Sequence, residues 1–525
     1  MRLETLLAGH ARRRPEHTAL VCGAQRLGYA ELHAAVRRVA CGLAGLGVRP
    51  GDRVLLLLPN GVEFVLAQYA AFTLGAIAVP VNPRLAPAEV EWLFADARPA
   101  AAVFHEEVRA AASAGLARVP GCRPILAGPA RSGEHAFAAL AATVPVPLPE
   151  PPPDQDDGMI LYTSGTTGRP KGALITHANL IVQNVWLHPQ EWRLDGDDRF
   201  LAASPLAHRA GCARLFNALG LGATLVIMER FDPALALELI ERERVTVTGL
   251  VPTMIRRMLP LLREAPRRCV SLRRLIVSTE AFPVELKREV LELLPGVELH
   301  SLFGSTEVLV TNLGHAEQFS HPASVGRPLP GVEVRLVDDA GRDVPAGAVG
   351  ELLVRSGPPG RWATFRGYHG LPEATAEAIR DGWVHTGDLA RADAGGYLYI
   401  VDRKKDMVLS GGYNIYSREV EQALLAHPAV ADAAVIGVPD ALYGEAVAAY
   451  VERRPGAALD APALIAHCRT RLADYKKPRH VIFTDALPRN STGKVLKGAL
   501  RERAASDLRC STPAREGGED GNDRA

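Results

Sequence analysis

Residues 161–177 read LYTSGTTGRPKGALITH, and the apolar run GMIL leads into them. A buried strand therefore passes at once into a turn that holds Thr163, Ser164, Thr166 and Thr167. Gly165, Gly168 and Gly172 punctuate the turn, and Lys171 closes it. Backbone N–H groups grip phosphate oxygens best where no side chain intervenes, hydroxyls add donors, and an ammonium adds a point charge. The chemistry predicted is phosphate binding. A Walker A loop needs GxxxxGK followed by Ser or Thr. Here Gly168 precedes Lys171 by three residues and Gly172 follows it, so this is a phosphate loop of another kind. A plain surface turn also uses Gly, Ser and Thr, but a strand feeding so dense a run is unusual for one.

The elements that position this loop follow from apolar patterning. DRVLLLLPN reads as a buried strand, GVEFVLAQYAAFTLGA as a helix, IAVPVN as a strand, PAEVEWLFADARP as a helix and AAAVF as a strand. That alternation predicts parallel sheets with helical crossovers. The proline-rich VPVPLPEPPPDQDD separates this block from the loop, and the rhythm resumes with ATLVIME, PALALELIERERV, TVTGLVP and LRRLIVS. From about 325 to 402 the runs shorten and turn signals multiply, which predicts a small β-rich part. Beyond it, VLSGGYNIYSREVEQALLAHP, AVIGVPD, AVAAYVER and LIAHCRTRL predict a compact α+β domain. The expected division is an N-terminal region over 1–404 (subdomains 1–150, 157–324 and 325–404), a C-terminal domain over 405–505, and a polar, disordered tail over 506–525. The fold class is α/β.

At 525 residues the chain exceeds what one core usually holds. A net charge of +1 offers no field for nucleic acid or an acidic membrane. Seven cysteines, scattered and without CxxC pairs, suggest a reducing compartment and no zinc site. The N-terminus lacks a signal-peptide apolar core. The longest apolar stretch, Phe64 to Val79, contains Gln68 and falls short of the ~18 residues that span a membrane. A cytoplasmic protein is expected.

Further segments follow the loop in order: ASPLAHRAG (203–211), LFGSTE (302–307), GWVHTGDLA (382–390), VDRKKDMVLSGGYNIYSREVE (401–421) and LPRNSTGKVLK (487–497). With YTSGTTGRPKG these six co-linear motifs resemble the adenylate-forming superfamily over about residues 10–500. That superfamily includes acyl-CoA synthetases, peptide-synthetase adenylation domains and firefly-type luciferases. The resemblance implies a large N-terminal region and a mobile C-terminal domain. It implies two half-reactions: a carboxylate attacks the α-phosphate of ATP to give acyl-AMP and pyrophosphate, and a thiol, usually coenzyme A, displaces AMP.

Roles follow from the same resemblance. The ATP/AMP site comprises Thr163, Ser164, Gly165, Thr166, Thr167, Gly168 and Lys171, with Glu280, Ala281, Phe303, Gly304, Ser305, Asp388 and Arg403. Glu307, with Thr166, would hold Mg²⁺, and Thr306 would sit near the α-phosphate. Asp388 would accept both ribose hydroxyls, with Arg403 supporting. Lys494 is the adenylation lysine, bridging the α-phosphate and the substrate carboxylate. His208 lies on the acyl side, beside Arg209, Gly211, Thr279 and Glu280. Lys405 is the hinge, and Gly411, Gly412 and Tyr413 line the thiol's tunnel. PLAHRAG carries no Asp to pair an α-ammonium, which disfavours amino acids. STEAFP (278–283) departs from the family's Ser-Gly-Gly-Ala-Pro, which implies a shorter, more polar acyl pocket unless Glu280 turns to solvent. Arg209 and Arg214 flank that pocket, pairing with a polar acid or else pointing outward.

The expected cofactors are ATP, Mg²⁺ and coenzyme A, and the expected partner is a small carboxylic acid. An acyl carrier protein remains the alternative acceptor, although no fused carrier domain is seen. Oligomeric state stays open, a homodimer included. A catalytically dead nucleotide-binding protein is opposed by Glu307, Asp388, Arg403 and Lys494. A luciferase-type oxygenase has no specific support.

Overall fold

The structure, a computed structural model, describes residues 1–152, 155–163, 170–278, 282–489 and 493–510. Two compact units emerge from the backbone contacts. One comprises Met1–Arg335, Leu353–Thr386 and Ala392–Tyr399; the other comprises Leu336–Leu352, Gly387–Arg391 and the chain from Ile400 onward.

Two large sheets lie in the first unit. Among the described residues one has nine strands, in the order Arg327–Pro328, Leu309–Leu313, Glu298–Gly304, Arg274–Ser278, Val247–Leu250, Arg199–Ala202, Thr224–Ile227, Thr18–Cys22 and Gln25–Gly28. The other has eight: Gly367–Tyr368, Lys171–Thr176, Asp157–Thr163, Ile77–Pro80, Arg53–Leu57, Ala101–His105, Arg123–Ala127 and His135–Ala136. Pairing is parallel through both centres and antiparallel at the edges that carry Leu309–Leu313 and Lys171–Thr176. The alternation expected from sequence is thus present as a mixed α/β fold.

Side-chain alternation explains why these strands read as unbroken apolar runs. Val54 and Leu56 enter one core with Leu20, Phe200 and Ile276 of the other sheet, while Leu55 and Leu57 enter a second core on the opposite face. Strands buried on both faces need apolar residues at every position. The shared core also holds helix Val62–Thr73, in which every residue from Phe64 to Phe72 is buried. A helix apolar all round is one enclosed by other layers.

The sheets do not follow the division at 150/157 expected from sequence. Strand Thr18–Cys22 pairs in parallel with Thr224–Ile227, with Leu20 opposite Leu225. Strand Asp157–Thr163 joins the sheet of residues 53–136 through Ala78 and Met159. Each half of the region therefore completes the other's sheet.

Among the described residues the second unit centres on a five-stranded sheet built on the antiparallel pair Val430–Asp440 and Gly444–Arg453. Helix Ser417–Leu425 covers one face and helix Lys497–Cys510 packs on strand Val430–Asp440. Residues 336–352 and 387–391, assigned to the first region by sequence, pack here. The Lys404 amide donates to Gly387 O at 2.8 Å, and its ammonium pairs with Asp339 at 2.9 Å and Glu351 at 3.0 Å. Among the described residues no helix is long and apolar enough to cross a membrane.

Candidate active site

In open α/β sheets the carboxyl ends of parallel strands are where ligands bind. The motif segments emerge there. Strand Arg199–Ala202 leads to His208, strand Arg274–Ser278 to the 278–283 segment, and strand Glu298–Gly304 to Glu307.

The phosphate loop joins two strands in antiparallel register, which places Thr163 directly opposite Lys171. Thr163 Oγ1 donates to Lys171 O at 3.4 Å. Ser164, Gly165, Thr166, Thr167 and Gly168 lie outside the described residues. The Lys171 ammonium sits 5.2 Å from the ring centre of Tyr368. The Tyr368 hydroxyl in turn donates to Glu307 Oε1 at 2.8 Å. Tyr368 belongs to a strap, residues 365–369, that is fixed on both sides. Phe365 N donates to Glu307 O at 2.7 Å, Arg366 N to Leu174 O at 3.0 Å, and His369 N to Gly172 O at 2.8 Å. Nothing in the sequence singled out Tyr368, because it is distant along the chain from both groups it joins.

Phe303 and Gly304 end their strand, and a closed turn follows. Ser305 N donates to Val308 O at 2.8 Å, while the Ser305 hydroxyl accepts from Glu307 N at 3.2 Å and Val308 N at 3.3 Å. This aims Thr306 and Glu307 from a rigid base, and both are partly buried. Thr279, Glu280 and Ala281 lie outside the described residues.

His208 caps helix Arg209–Leu221, its ring accepting from Ala210 N at 3.4 Å. The helix can start only over a glycine: a Cβ on Gly211 would stand 2.0 Å from Pro205 O. Burial, and then the neighbouring Arg209, hold His208 below the ordinary imidazole value, so it is neutral at pH 7. Arg209 turns inward and donates to Gln183 Oε1. Burial lowers its pKa, while Cys212 and Glu307 act in the opposite sense. Arg214 is 4% exposed, with its guanidinium 5.0 Å over the ring of the fully buried Trp192. Facing this helix, Val182–Leu187 forms a π-helical turn, a distortion frequent at functional sites. Asn217 Nδ2 donates to Asn184 O in that turn at 2.6 Å. Gln183, His188 and Trp192 were missed from sequence; the signal was polar Gln183, Asn184 and His188 recurring in an otherwise apolar helical stretch.

In the second unit, Asp388 is 6% exposed and pairs with Arg403 Nε at 2.9 Å. Lys494 is exposed as a residue. Its ammonium is nonetheless held below the usual lysine value, first by loss of solvent and then by Arg403, with Asp388 acting in the opposite sense. Lys405 is exposed, and its carbonyl accepts from Arg501 Nη2 at 3.1 Å. Gly411 and Gly412 adopt φ of +56° and +82°, which L side chains rarely reach. They turn the hairpin Val408–Ser410/Tyr413–Ile415, and Tyr413 stacks on Tyr475 at 4.5 Å. The residues picked from sequence thus gather as two sets: Lys171, His208, Arg209 and Glu307 in the first unit, Asp388, Arg403 and Lys494 in the second.

The profile of the AMP-binding enzyme family matches residues 7–369, and that of the AMP-binding enzyme C-terminal domain matches residues 419–494. A feruloyl-CoA synthase of Amycolatopsis sp is 41% identical over 505 residues, 94% of this chain and 97% of that protein. A long-chain-fatty-acid–CoA ligase of Mycobacterium tuberculosis is 35% identical over 496 residues, 92% of this chain and 94% of that protein. The crystal structure of ATP-bound MatB from Rhodopseudomonas palustris superposes with a TM-score of 0.86 at 32% identity, covering 97% of this chain and 100% of that one. On these matches the chain belongs to the AMP-binding enzyme family, and it is an AMP-forming acid–thiol ligase.

Proposed function

We propose that the enzyme activates a compact carboxylic acid, polar or aromatic and shorter than palmitate, and passes the acyl group to free coenzyme A in the cytoplasm. The observation that carries the assignment of roles is the constellation Lys171–Tyr368–Glu307 at the strand ends.

A carboxylate approaching a triphosphate meets like-charge repulsion, so the site must offer cations and donors where charge develops. Lys171 and the 163–168 loop hold the β- and γ-phosphates. Asp388, an acceptor-only group fixed by Arg403, takes both ribose hydroxyls. The carboxylate oxygen forms a bond to the α-phosphorus as the bond to the β-phosphate oxygen breaks, and pyrophosphate leaves with the electron pair. Lys494 meets the negative charge that accumulates on the α-phosphate. In the second step the coenzyme A sulfur bonds to the acyl carbon, the carbon–oxygen bond to AMP breaks, and the thiol proton is released. Lys405 hinges the C-terminal domain between these steps, His208 guards the approach of the acid, and Gly411, Gly412 and Tyr413 admit the pantetheine arm.

Among the described residues no three His, Cys, Asp or Glu side chains cluster as a metal cage. A single oriented carboxylate, Glu307, suits Mg²⁺, which keeps its waters and binds through one or two carboxylates plus substrate phosphates. Glu307 with Thr166 would hold the ion, which would neutralise phosphate charge.

Kinship leaves the acid open, since relatives named for ferulate and for long-chain fatty acids stand at 41% and 35% identity. What supports the compact acid is the polarity of the acyl-side helix: its buried Arg209 Nη1 and Arg214 Nε and Nη1 have no acceptor among the described residues, and an alkyl chain would leave them so. Free coenzyme A is preferred over a carrier protein because the relatives are named as CoA ligases. A screen of pyrophosphate release across free acids, with and without coenzyme A, tests both parts. Preference for palmitate would remove the acid class; release that only a carrier protein accelerates would remove coenzyme A as the acceptor.

A further inference from the structure

A cavity of about 600 Å³ opens in the first unit, and five arginines line it: Arg26, Arg199, Arg242, Arg244 and Arg273. It lies away from the candidate active site. Arg199 is the first residue of strand Arg199–Ala202, Thr246 precedes strand Val247–Leu250, and Arg273 precedes strand Arg274–Ser278. The cavity thus sits at the amino ends of strands whose carboxyl ends lead to His208 and the 278–283 segment.

The fold supplies these cations with few carboxylates. Three of them share Glu243, whose side chain is 2% exposed. Arg26 Nη2 donates to both of its carboxylate oxygens at 2.7 Å, Arg242 Nε to Oε1 at 3.1 Å and Arg199 Nη2 to Oε2 at 3.4 Å. Arg242 also pairs with Glu238 at 2.6 Å, and Arg273 pairs with the buried Asp198 at 2.7 Å. The second acid of the lining, Asp197, pairs with Arg14 at 2.8 Å. Arg244 is left over: among the described residues its side chain has no hydrogen bond or ion pair. It follows helix Pro233–Arg242 at φ +50°, the place and conformation that glycine commonly takes.

The guanidinium groups act on one another. Burial lowers the pKa of Arg199, Glu243 works in the opposite sense, and Arg26 and Arg244 add to the lowering. All stay charged at neutral pH. An anion seated among them would relieve that repulsion, and arginine forks match phosphate oxygens with paired hydrogen bonds.

We propose that this cavity binds a free polyphosphate, a small molecule with two or more linked phosphate groups, at a site separate from the candidate active site. The excess of cations over carboxylates suits a ligand with several negative charges better than one with a single charge. The volume is that of a small-molecule site. The lining is Arg, Asp, Glu, Ser and Thr, with no apolar side chain, which favours a free anion over a lipid headgroup. The inference is independent of which acid the enzyme activates.

The test is isothermal titration calorimetry with inorganic triphosphate at about 0.15 M salt. Lys171→Ala serves as the background, since it weakens the phosphate site proposed at the strand ends. That variant is expected to bind triphosphate at one site. Adding Arg244→Gln or Arg26→Gln should weaken binding about tenfold or more, as for loss of a charged hydrogen bond. Arg244→Lys, which keeps the charge and loses the fork, should fall between. Arg244→Gln alone removes no internal partner, so its pyrophosphate release with acid and ATP should match the wild type, which also shows that it folds. Absence of triphosphate binding in the Lys171→Ala background overturns the proposal, as does an affinity that neither Arg244→Gln nor Arg26→Gln changes. Equal affinity for sulfate would mean a diffuse positive field and overturns it too. Phosphatidylglycerol vesicles that bind the wild type and that triphosphate fails to displace would make the partner a membrane surface, and the free ligand would be ruled out.

Discussion

Tyr368 Oη donates to Glu307 Oε1 at 2.8 Å while its ring faces the Lys171 ammonium at 5.2 Å, so one phenol ties a carboxylate to a phosphate-loop cation. Hydrogen bonds to charged groups contribute about 1.5–3 kcal/mol. Tyr368→Phe keeps the ring and removes the donor. It is expected to lower adenylation about tenfold or more and to raise the Mg²⁺ concentration needed for half-maximal pyrophosphate release. An unchanged Mg²⁺ dependence would separate Tyr368 from the role assigned to Glu307.

Lys494→Ala should lower acyl-AMP formation by about 10²–10³-fold, the effect of losing one preorganised donor at a developing oxyanion. Thioester formation from supplied acyl-AMP should be largely spared. Equal loss in both half-reactions would mean that the lysine does not act on the first step alone.

The pH dependence follows in sign. Adenylation needs Lys494 protonated, so the rate is full below its pKa and falls as pH rises through it. That pKa lies below the usual lysine value. The alkaline limb of the adenylation rate should therefore appear below the pH of an ordinary lysine, and Lys494→Arg should move it upward. An identical limb in the Arg variant would assign the titration to another group.

Lys405→Pro fixes φ and should restrict the proposed rotation between half-reactions. Pyrophosphate release with acid and ATP should persist while transfer to coenzyme A falls steeply. Wild-type rates in both steps would place the hinge elsewhere.

Gly211→Ala tests how the acyl-side helix is launched. A Cβ cannot occupy a position 2.0 Å from Pro205 O, so the turn must shift. A cost of about 1–3 kcal/mol is expected, as for other overpacked positions. It should be read as a lowered Tm together with a raised KM for the acid, since His208 and Arg209 start the displaced helix.

What the sequence could and could not disclose divides along physical lines. The strand Arg53–Leu57 was legible because burial on both faces makes its last four positions apolar. Lys171, Glu307, Asp388 and Lys494 could be picked out as candidates because their motifs are local. For Arg214 the sequence left the direction open: arginine is ordinarily a surface residue, and its burial against the Trp192 ring involves another element. Tyr368 escaped for the same reason. The π-turn at Val182–Leu187 was hidden as well, since its extra residue changes which side chains share a face and a period of 3.6 cannot anticipate it.

The interleaving of the two sheets has a consequence for synthesis on the ribosome. Among the described residues strand Thr18–Cys22 finds its parallel neighbour only in Thr224–Ile227. At about 5–20 residues per second, roughly 10–40 seconds pass between the making of one and the other. During that interval an apolar strand emerges early with an open edge, the kind that recruits other chains. The nascent N-terminal 150 residues cannot finish either sheet alone. Expression of that segment by itself should yield aggregate, whereas co-expression with the complementary piece from residue 151 onward should recover soluble, associated protein.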